Sequence, residues 1–249
     1  MNIAMKEKTK KLLVELIPAA ALFLASVISL FIYLFVMKQQ AIERFLALAA
    51  APLIALVIPL LNRICKIEIP FALNISICVF AFAAIDLGTV LNFYAFIPYY
   101  DKLLHTLFGV LGAFCTFVIL LYGKGEKLRP WCFFLVILLC VLGVAALWEI
   151  YEFVEGIITH TDPQCWQPDL NAVGDMTVRE FFAHYNPLTD TMWDIIVAAF
   201  GVFAFFAVIA IDKACGYPLC KRLVRKIRPE KIHGDEDKIT RTEEKKDQP

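Results

Sequence analysis

The chain has 249 residues, of which 60% are hydrophobic and only 19% are charged, and its formal net charge is zero. A soluble domain averages roughly 45–50% apolar residues, so this composition indicates a membrane protein. The zero net charge gives no reason to expect nucleic acid as a partner. The eight cysteines form no Cys-x-x-Cys pair, which argues against a disulfide framework or a zinc ribbon.

Six apolar segments follow one another along the chain, each near the length of about 20 residues that a helix needs to cross the hydrocarbon core. We expect transmembrane spans at about 14–37, 44–62, 70–95, 101–122, 130–154 and 190–213. Lysines precede the first span, as in a signal peptide, but the apolar run is too long for one. We interpret it as a retained span that Pro18 starts or kinks. The predicted fold class is all-α, a polytopic membrane helix bundle with six transmembrane helices, and it fills residues 1–213.

The distribution of basic residues orients the spans. Lysine and arginine concentrate at the N-terminus, in the loops 62–69 and 122–130, and after residue 213, and six spans bring these segments to one side. The positive-inside rule makes that side the cytoplasm, so both termini should be cytoplasmic. The tail, 214–249, begins with a basic stretch that either flanks the membrane or lies on anionic lipid. We expect residues 232–249, which mix both charges, to be disordered.

The longest extracytoplasmic connection, 156–189, joins the last two spans. Long ordered loops often form lids or binding elements, so we predict that this one covers the mouth of a site. A short interfacial helix is expected at 176–185. An untethered loop is the alternative.

Ionisable side chains occur in pairs at the outer ends of three spans. The pairs are Asp101 and His105 in span 4, Glu149 and Glu152 in span 5, and Asp190 and Asp194 in span 6. Members of each pair are three or four residues apart and therefore share one helix face. A charge inside a bilayer costs about 2.5–3.5 kcal/mol on insertion scales. Because these side chains lie at the same depth in the membrane and could compensate one another, we expect them to share one site.

Small residues continue the same faces and would let the helices approach closely. They are Gly109, Gly112, Ala145, Ala198 and Gly201. We therefore predict that His105, Glu149, Glu152 and Asp194 meet in one cluster, with Asp101 and Asp190 at its rim. Carboxylates from at least two spans should lie within about 6 Å of a ring nitrogen of His105.

Several carboxylates cannot all ionise side by side without a cation or shared protons. One histidine with carboxylate oxygens suits Mg²⁺, Mn²⁺, Ca²⁺ or iron. All six residues are therefore candidate metal ligands, and His105, Glu149, Glu152 and Asp194 are also candidates for catalysis or proton transfer. Two plainer interpretations stay open. Asp101 and Asp190 could cap their helices, and the deeper residues could form a satisfied polar cluster without chemistry.

Three sequence strings carry a family resemblance. They are Tyr100-Asp-Lys-Leu-Leu-His105, Trp148-Glu-Ile-Tyr-Glu-Phe153, and Asp190-Thr-Met-Trp-Asp194 with a following Gly201. In this order, over about 95–205, the chain resembles the YjdF-like family of bacterial inner-membrane proteins. More distantly it is similar to VanZ-like proteins, which are associated with teicoplanin resistance. The resemblance implies a bacterial inner-membrane location and a site that acts as a unit, and it supplies no reaction.

Three classes of function fit such a site, with membrane lipids as the common partner. The first is a metal-dependent enzyme that acts on a phosphate-bearing or polyprenyl-linked lipid at the outer leaflet. Familiar hydrolase signatures are absent, and only Lys102 and Arg179 offer an outer positive charge to a phosphate. The second is a non-catalytic protein that binds a metal, lipid or antibiotic. The third is a proton- or cation-coupled transporter, which Asp86 in span 3 favours. Six spans without an inverted repeat argue against a transporter, although a homodimer could compensate.

Overall fold

The computed structural model describes residues 2–39, 41–64, 69–123, 125–166 and 176–227. Within these residues the chain is helical, without β-strands, and six of its helices are long and apolar enough to cross a membrane. The predicted fold class is therefore confirmed.

Nine α-helices are seen in the described ranges, two of them continued by π-helix. They are α1 (Asn2–Phe31, continued by π-helix Ile32–Val36), α2 (Ile42–Ile64), α3 (Phe71–Ala81, continued by π-helix Phe82–Val90), α4 (Phe93–Phe96), α5 (Tyr100–Tyr122), α6 (Pro130–Thr159), α7 (Val178–His184), α8 (Pro187–Ala214) and α9 (Pro218–Ile227). Pro18 lies inside α1 and does not start it, because the helix extends back to Asn2. The third span ends at Val90 rather than near residue 95, because Asn92 takes a left-handed conformation with φ 64°.

The helices pack in two groups. One group joins α1, α2 and α3, with small and apolar side chains such as Ala51, Ala55 and Ala81 at its core. The other joins α5, α6 and α8 around a core that includes Ile137 and Val202. The paired ionisable residues of the sequence all belong to the second group, so this group builds the candidate site.

The backbones of α5 and α8 touch where two glycines face each other. A Cβ added to Gly109 would lie 2.0 Å from the carbonyl oxygen of Ala198, and one added to Gly201 would lie 2.1 Å from that of Thr106. Neither position has room for any side chain. This contact fixes the separation of the two helices only one to two turns from His105 and Asp194.

The π-helix that continues α3, residues 82–90, is tied to the start of α5. The hydroxyl of Tyr100 donates a hydrogen bond to the carbonyl oxygen of Ala83 at 2.9 Å. The rings of Phe93 and Tyr94 pack edge-on against the Tyr100 ring. Burial, with the nearby Asp101 carboxylate as a smaller cause, raises the pKa of the Tyr94 hydroxyl, so this group stays protonated. The π-helix thus abuts the segment that carries the site.

A last helix, α9, folds back against the opposite end of α8. Buried Asp212 accepts hydrogen bonds from the backbone amides of Leu219 at 2.9 Å and Cys220 at 3.0 Å. The carboxylate satisfies amides in the first turn of α9, which lack partners within the helix. The predicted disorder at 232–249 lies outside the described residues.

Candidate metal-binding site

The first turns of α5 and α8 lie side by side at one end of the bundle. α5 begins after Tyr99, which makes no side-chain cap, and α8 begins after Asn186, whose side chain accepts a hydrogen bond from the amide of Thr189 at 2.9 Å. The interpretation of Asp101 and Asp190 as helix caps is therefore wrong. Each lies one residue or more inside its helix, and its carboxylate binds a side chain of the site.

His105 stands at the centre of the cluster and is 8% exposed. Its Nε2 atom lies 3.6 Å from Asp101 Oδ1, 3.8 Å from Asp194 Oδ1 and 3.9 Å from Glu149 Oε1. These carboxylates come from α5, α8 and α6. The structure thus brings acidic groups from three spans to one imidazole, as their depth in the membrane and their helical spacing predict. The chemical role of each residue remains a prediction.

Glu152 completes the buried set from α6. One ligand atom each from His105, Glu149 and Glu152 lies within 4.8 Å of the others, and the same holds for Asp101, His105 and Asp194. The indole Nε1 of Trp148 donates a hydrogen bond to Glu152 Oε1 at 2.8 Å. His105 is common to both groups, so the two groups form one site.

Lys102 is the positive charge of the site. Its Nζ lies 3.0 Å from Asp101 Oδ2 and 2.7 Å from Asp194 Oδ2, and it also donates to Asp190 Oδ1. The ammonium group therefore holds α5 and α8 together through the carboxylates of Asp190 and Asp194, and it also binds Asp101 on its own helix. Because these contacts occupy it, Lys102 is poorly placed to hold a phosphate, the role considered for it from the sequence.

A polar chain supports Glu149 from the long connection. The side-chain amide of Gln164 donates to the hydroxyl of Thr191 at 2.9 Å, and that hydroxyl donates to Glu149 Oε2 at 2.9 Å. Gln164 is 7% exposed, so this part of the connection packs onto the site. Its contact supports the predicted covering role, although residues 167–175 lie outside the described part of the chain.

The site has more negative than positive groups. Five carboxyl groups (Asp101, Glu149, Glu152, Asp190 and Asp194) surround one ammonium and one imidazole. Three buried carboxylate oxygens, Glu149 Oε1, Asp190 Oδ2 and Asp194 Oδ1, have no hydrogen-bond partner among the described residues. An uncompensated carboxylate away from water is costly, so the arrangement calls for further positive charge.

The spacing around His105 suits ligands that share one cation. Two ligands that are each about 2.4 Å from an ion, a distance typical of Ca²⁺, lie about 3.4–3.9 Å apart for angles between 90° and 109°. The observed separations of 3.6–3.9 Å between Nε2 and three oxygens fall in this range. They are too long for hydrogen bonds. Smaller ions such as Mg²⁺ would require the side chains to close by a few tenths of an ångström.

A cavity of about 570 Å³ opens beside Glu149, between α6 and α8. Apolar side chains form most of its wall, including Ile150, Phe153 and Ile195. Its polar groups are Glu149, Gln164, Asn186 and Thr191. An amphipathic molecule could therefore place its polar end at the carboxylates and its apolar part between the helices.

Comparison with known proteins gives a family but no reaction. Residues 19–213 match the model of a family described as a predicted membrane protein, DUF2238. The chain belongs to this family. It is the family that the sequence strings of the three spans resemble, whereas the distant VanZ-like relation remains a prediction. No curated protein and no solved structure matches the chain.

Three contributors to the site were missed from the sequence. Lys102 was considered only for a phosphate, although its position one residue after Asp101 places it at the level of the acidic groups. Thr191 is one residue after Asp190 and carries no charge that would mark it. Gln164 lies in a connection without helical periodicity, so nothing in the sequence indicates its contact.

Proposed function

We propose that this protein binds a divalent cation through Asp101, His105, Glu149 and Asp194 and uses the site to hold the anionic headgroup of an envelope lipid. The observation that carries the proposal is the convergence of carboxylate oxygens on His105 Nε2, at 3.6–3.9 Å, with two of these oxygens buried and without a hydrogen-bond partner. Each of the two groups that share His105, Asp101 with Asp194 and Glu149 with Glu152, has ligand atoms within 4.8 Å of one another. A cation at His105 would reduce the negative excess, and the side chains of both groups would have to close around it for all four proposed ligands to bind at once.

The remaining polar groups would orient the ligands. Lys102 fixes the second oxygens of Asp101 and Asp194, which leaves their first oxygens free to face the cation. The hydroxyl of Thr191 likewise donates to Glu149 Oε2, which leaves Oε1 free to face the cation. Such supporting contacts set the geometry of ligating carboxylates and typically change metal affinity by about 10–100-fold when they are removed. Mg²⁺, Mn²⁺, Ca²⁺ and iron remain the candidate ions.

The apolar cavity beside Glu149 supports a lipid as the bound molecule. Its volume of about 570 Å³ and its lining of Ile150, Phe153 and Ile195 suit a hydrocarbon chain, and Glu149 at its polar end belongs to the metal cluster. A bound cation would supply the positive charge for phosphate oxygens, since Lys102 is occupied. A phosphate-bearing or polyprenyl-linked lipid is therefore the substrate class that we propose.

We further propose a bacterial inner-membrane location with both termini in the cytoplasm, so that the site opens toward the outer leaflet. The basis is the lysine and arginine distribution together with the six candidate spans. An enzyme and a non-catalytic binding or resistance protein would use the same site. Only the former would turn over the bound lipid.

Binding and turnover tests distinguish these alternatives. Purified protein in nanodiscs is titrated with Mn²⁺ in parallel with His105→Ala and Glu149→Gln. The matched control is Glu155→Gln, which removes an acid from the same helix outside the cluster. We expect the first two variants to lose at least 10-fold in Mn²⁺ affinity and the control to keep it. Equal affinity in all four proteins would refute the metal site.

A panel of phosphate-bearing lipids is then incubated with metal-loaded and chelator-treated protein. Metal-dependent release of phosphate or of a headgroup would identify an enzyme. Metal-dependent binding without turnover would identify a binding protein. If lipid binding is the same in both preparations and in Glu149→Gln, the lipid part of the proposal fails while the metal site stands.

A further inference from the structure

A second buried acid lies in the other helix group. Asp86 is fully buried (0% exposed) and lies in the π-helix that continues α3, inside the span Phe71–Val90. Its Oδ2 atom is 3.3 Å from the hydroxyl oxygen of Ser26 on α1. Its Oδ1 atom has no hydrogen-bond partner among the described residues. Ser29, one turn along α1 from Ser26, is also buried, at 2% exposed.

No positive charge compensates this carboxyl group within the described part of the chain. Arg44 of α2 is engaged at the end of the π-helix, where it donates to the carbonyl of Val90 at 3.1 Å and lies over the ring of Tyr33. Other titratable groups near the π-helix among the described residues are Cys78, whose thiol donates to Asn74 Oδ1 at 3.8 Å, and tyrosines that have their own partners or are neutral. Tyr33 accepts from the amide of Ala41, Tyr100 donates to Ala83, and Tyr94 is protonated. An ionised Asp86 would therefore be a lone charge in the membrane interior, which is strongly unfavourable.

We infer that Asp86, together with Ser26 and Ser29, forms a proton-binding site that is separate from the metal cluster. A proton on Oδ2 would be donated to the hydroxyl oxygen of Ser26, which lies at hydrogen-bond distance. Oδ1 then becomes the carbonyl oxygen of a neutral acid, and an unpaired carbonyl costs far less than an unpaired charge.

A metal cation fits this place poorly. Among the described residues three side-chain groups are gathered here, one carboxyl group and two hydroxyl groups. Ca²⁺ takes six to eight oxygens, and Mg²⁺ needs octahedral geometry. A proton needs one acceptor and one neighbour to receive its hydrogen bond, and both are present.

The local backbone supports a functional role rather than a packing role. A π-helix is rare and frequently occurs at functional sites. Here nine residues, Phe82–Val90, take this form around Asp86. Ionisable residues inside membrane bundles commonly carry protons in pumps and transporters. The proposed proton site lies inside the α1–α3 group and is independent of the metal cluster.

Infrared difference spectroscopy tests the proton directly. Protein in nanodiscs at neutral pH, in choline chloride and without metal, is compared with Asp86→Asn. We expect the difference spectrum to contain the carbonyl stretch of a protonated carboxylic acid, shifted in D₂O. Glu155→Gln is the control, and its spectrum should retain this band. If Asp86→Asn removes carboxylate bands alone, Asp86 is ionised and the inference is wrong.

Two further measurements distinguish a bound proton from a bound sodium ion and test the contact with Ser26. Addition of NaCl should leave the protonated-acid band unchanged. If the band disappears when NaCl is added, Asp86 binds Na⁺ and the proposal is overturned. Ser26→Ala removes the hydrogen-bond acceptor and should move the band to higher frequency. An unmoved band would contradict the assignment even if Asp86→Asn does not fold. Neither readout depends on metal binding, so the proposed metal site can fail independently.

Discussion

Replacement of Gly109 by alanine tests how the bundle positions the metal cluster. The new Cβ would lie 2.0 Å from the carbonyl oxygen of Ala198, whereas an ordinary contact begins at 3.4 Å. The backbones of α5 and α8 would have to separate by about 1.4 Å, the difference between these two distances. The obstacle is a carbonyl oxygen of a helix backbone, so no side-chain rotation can relieve the clash.

The displacement would reach the site because Gly109 is one helical turn from His105. Nε2 of His105 is 3.8 Å from Asp194 Oδ1, and a shift of this size would take the pair to about 5 Å. Metal ligands must stay within about 0.2 Å of their normal distances, so one cation could no longer contact both helices. We expect Mn²⁺ affinity to fall at least 10-fold and the free energy of unfolding to fall by about 1–3 kcal/mol, as in other overpacked interiors.

The assay is a Mn²⁺ titration of purified Gly109→Ala with thermal unfolding measured in parallel. Gly143→Ala on α6 is the matched control, because its new Cβ meets nothing within 4 Å. It should bind Mn²⁺ like the parent protein. If Gly109→Ala also binds like the parent protein, the contact between α5 and α8 does not set the site geometry, and the reasoning is refuted.

Three further predictions concern single groups around the two ends of the bundle. Lys102→Met should lower the unfolding temperature more in metal-free than in metal-loaded protein. The reason is that three carboxylates lose their ammonium partner, and a bound cation can replace it. An equal decrease of the unfolding temperature in both forms would contradict this prediction. Thr191→Val should lower Mn²⁺ affinity about 10-fold while Thr191→Ser retains it, since only the hydroxyl bridges Gln164 and Glu149. Burial, with the Asp212 carboxylate as a further cause, raises the pKa of the Cys220 thiol to about 12. At pH 8 this thiol should therefore react more slowly with maleimide than exposed Cys215. Asp212→Asn should accelerate the labelling of Cys220. Residue-resolved mass spectrometry measures both rates.

The level of the site and the faces that build it were predictable from the sequence. Charges inside apolar spans are costly, and their spacing of three or four residues fixes which of them share a face. The positions of Gly109 and Gly201 on the same faces also indicated where two helices approach closely. These inferences need only helical periodicity and span direction, which local sequence supplies.

The partners of each acid were not predictable in the same way. Lys102 binds Asp190 and Asp194, which lie 88 and 92 residues later, and this pairing depends on how α5 and α8 cross. The caps illustrate the same limit, because Asn186 rather than Asp190 caps α8 and this choice depends on where the helix begins. The π-helix around Asp86 has no sequence signal at all, since an added residue per turn changes the backbone register without changing hydropathy.

The position of a bound cation tests the central claim most directly. Crystals of the protein soaked in Mn²⁺ would give an anomalous difference map, in which the ion is located independently of the side chains. We predict one peak per chain about 2.0–2.6 Å from His105 Nε2 and from oxygens of Asp101, Glu149 and Asp194. A map without a peak at His105, while the side chains keep their described arrangement, would contradict the metal site and leave Lys102 as the cation of the cluster.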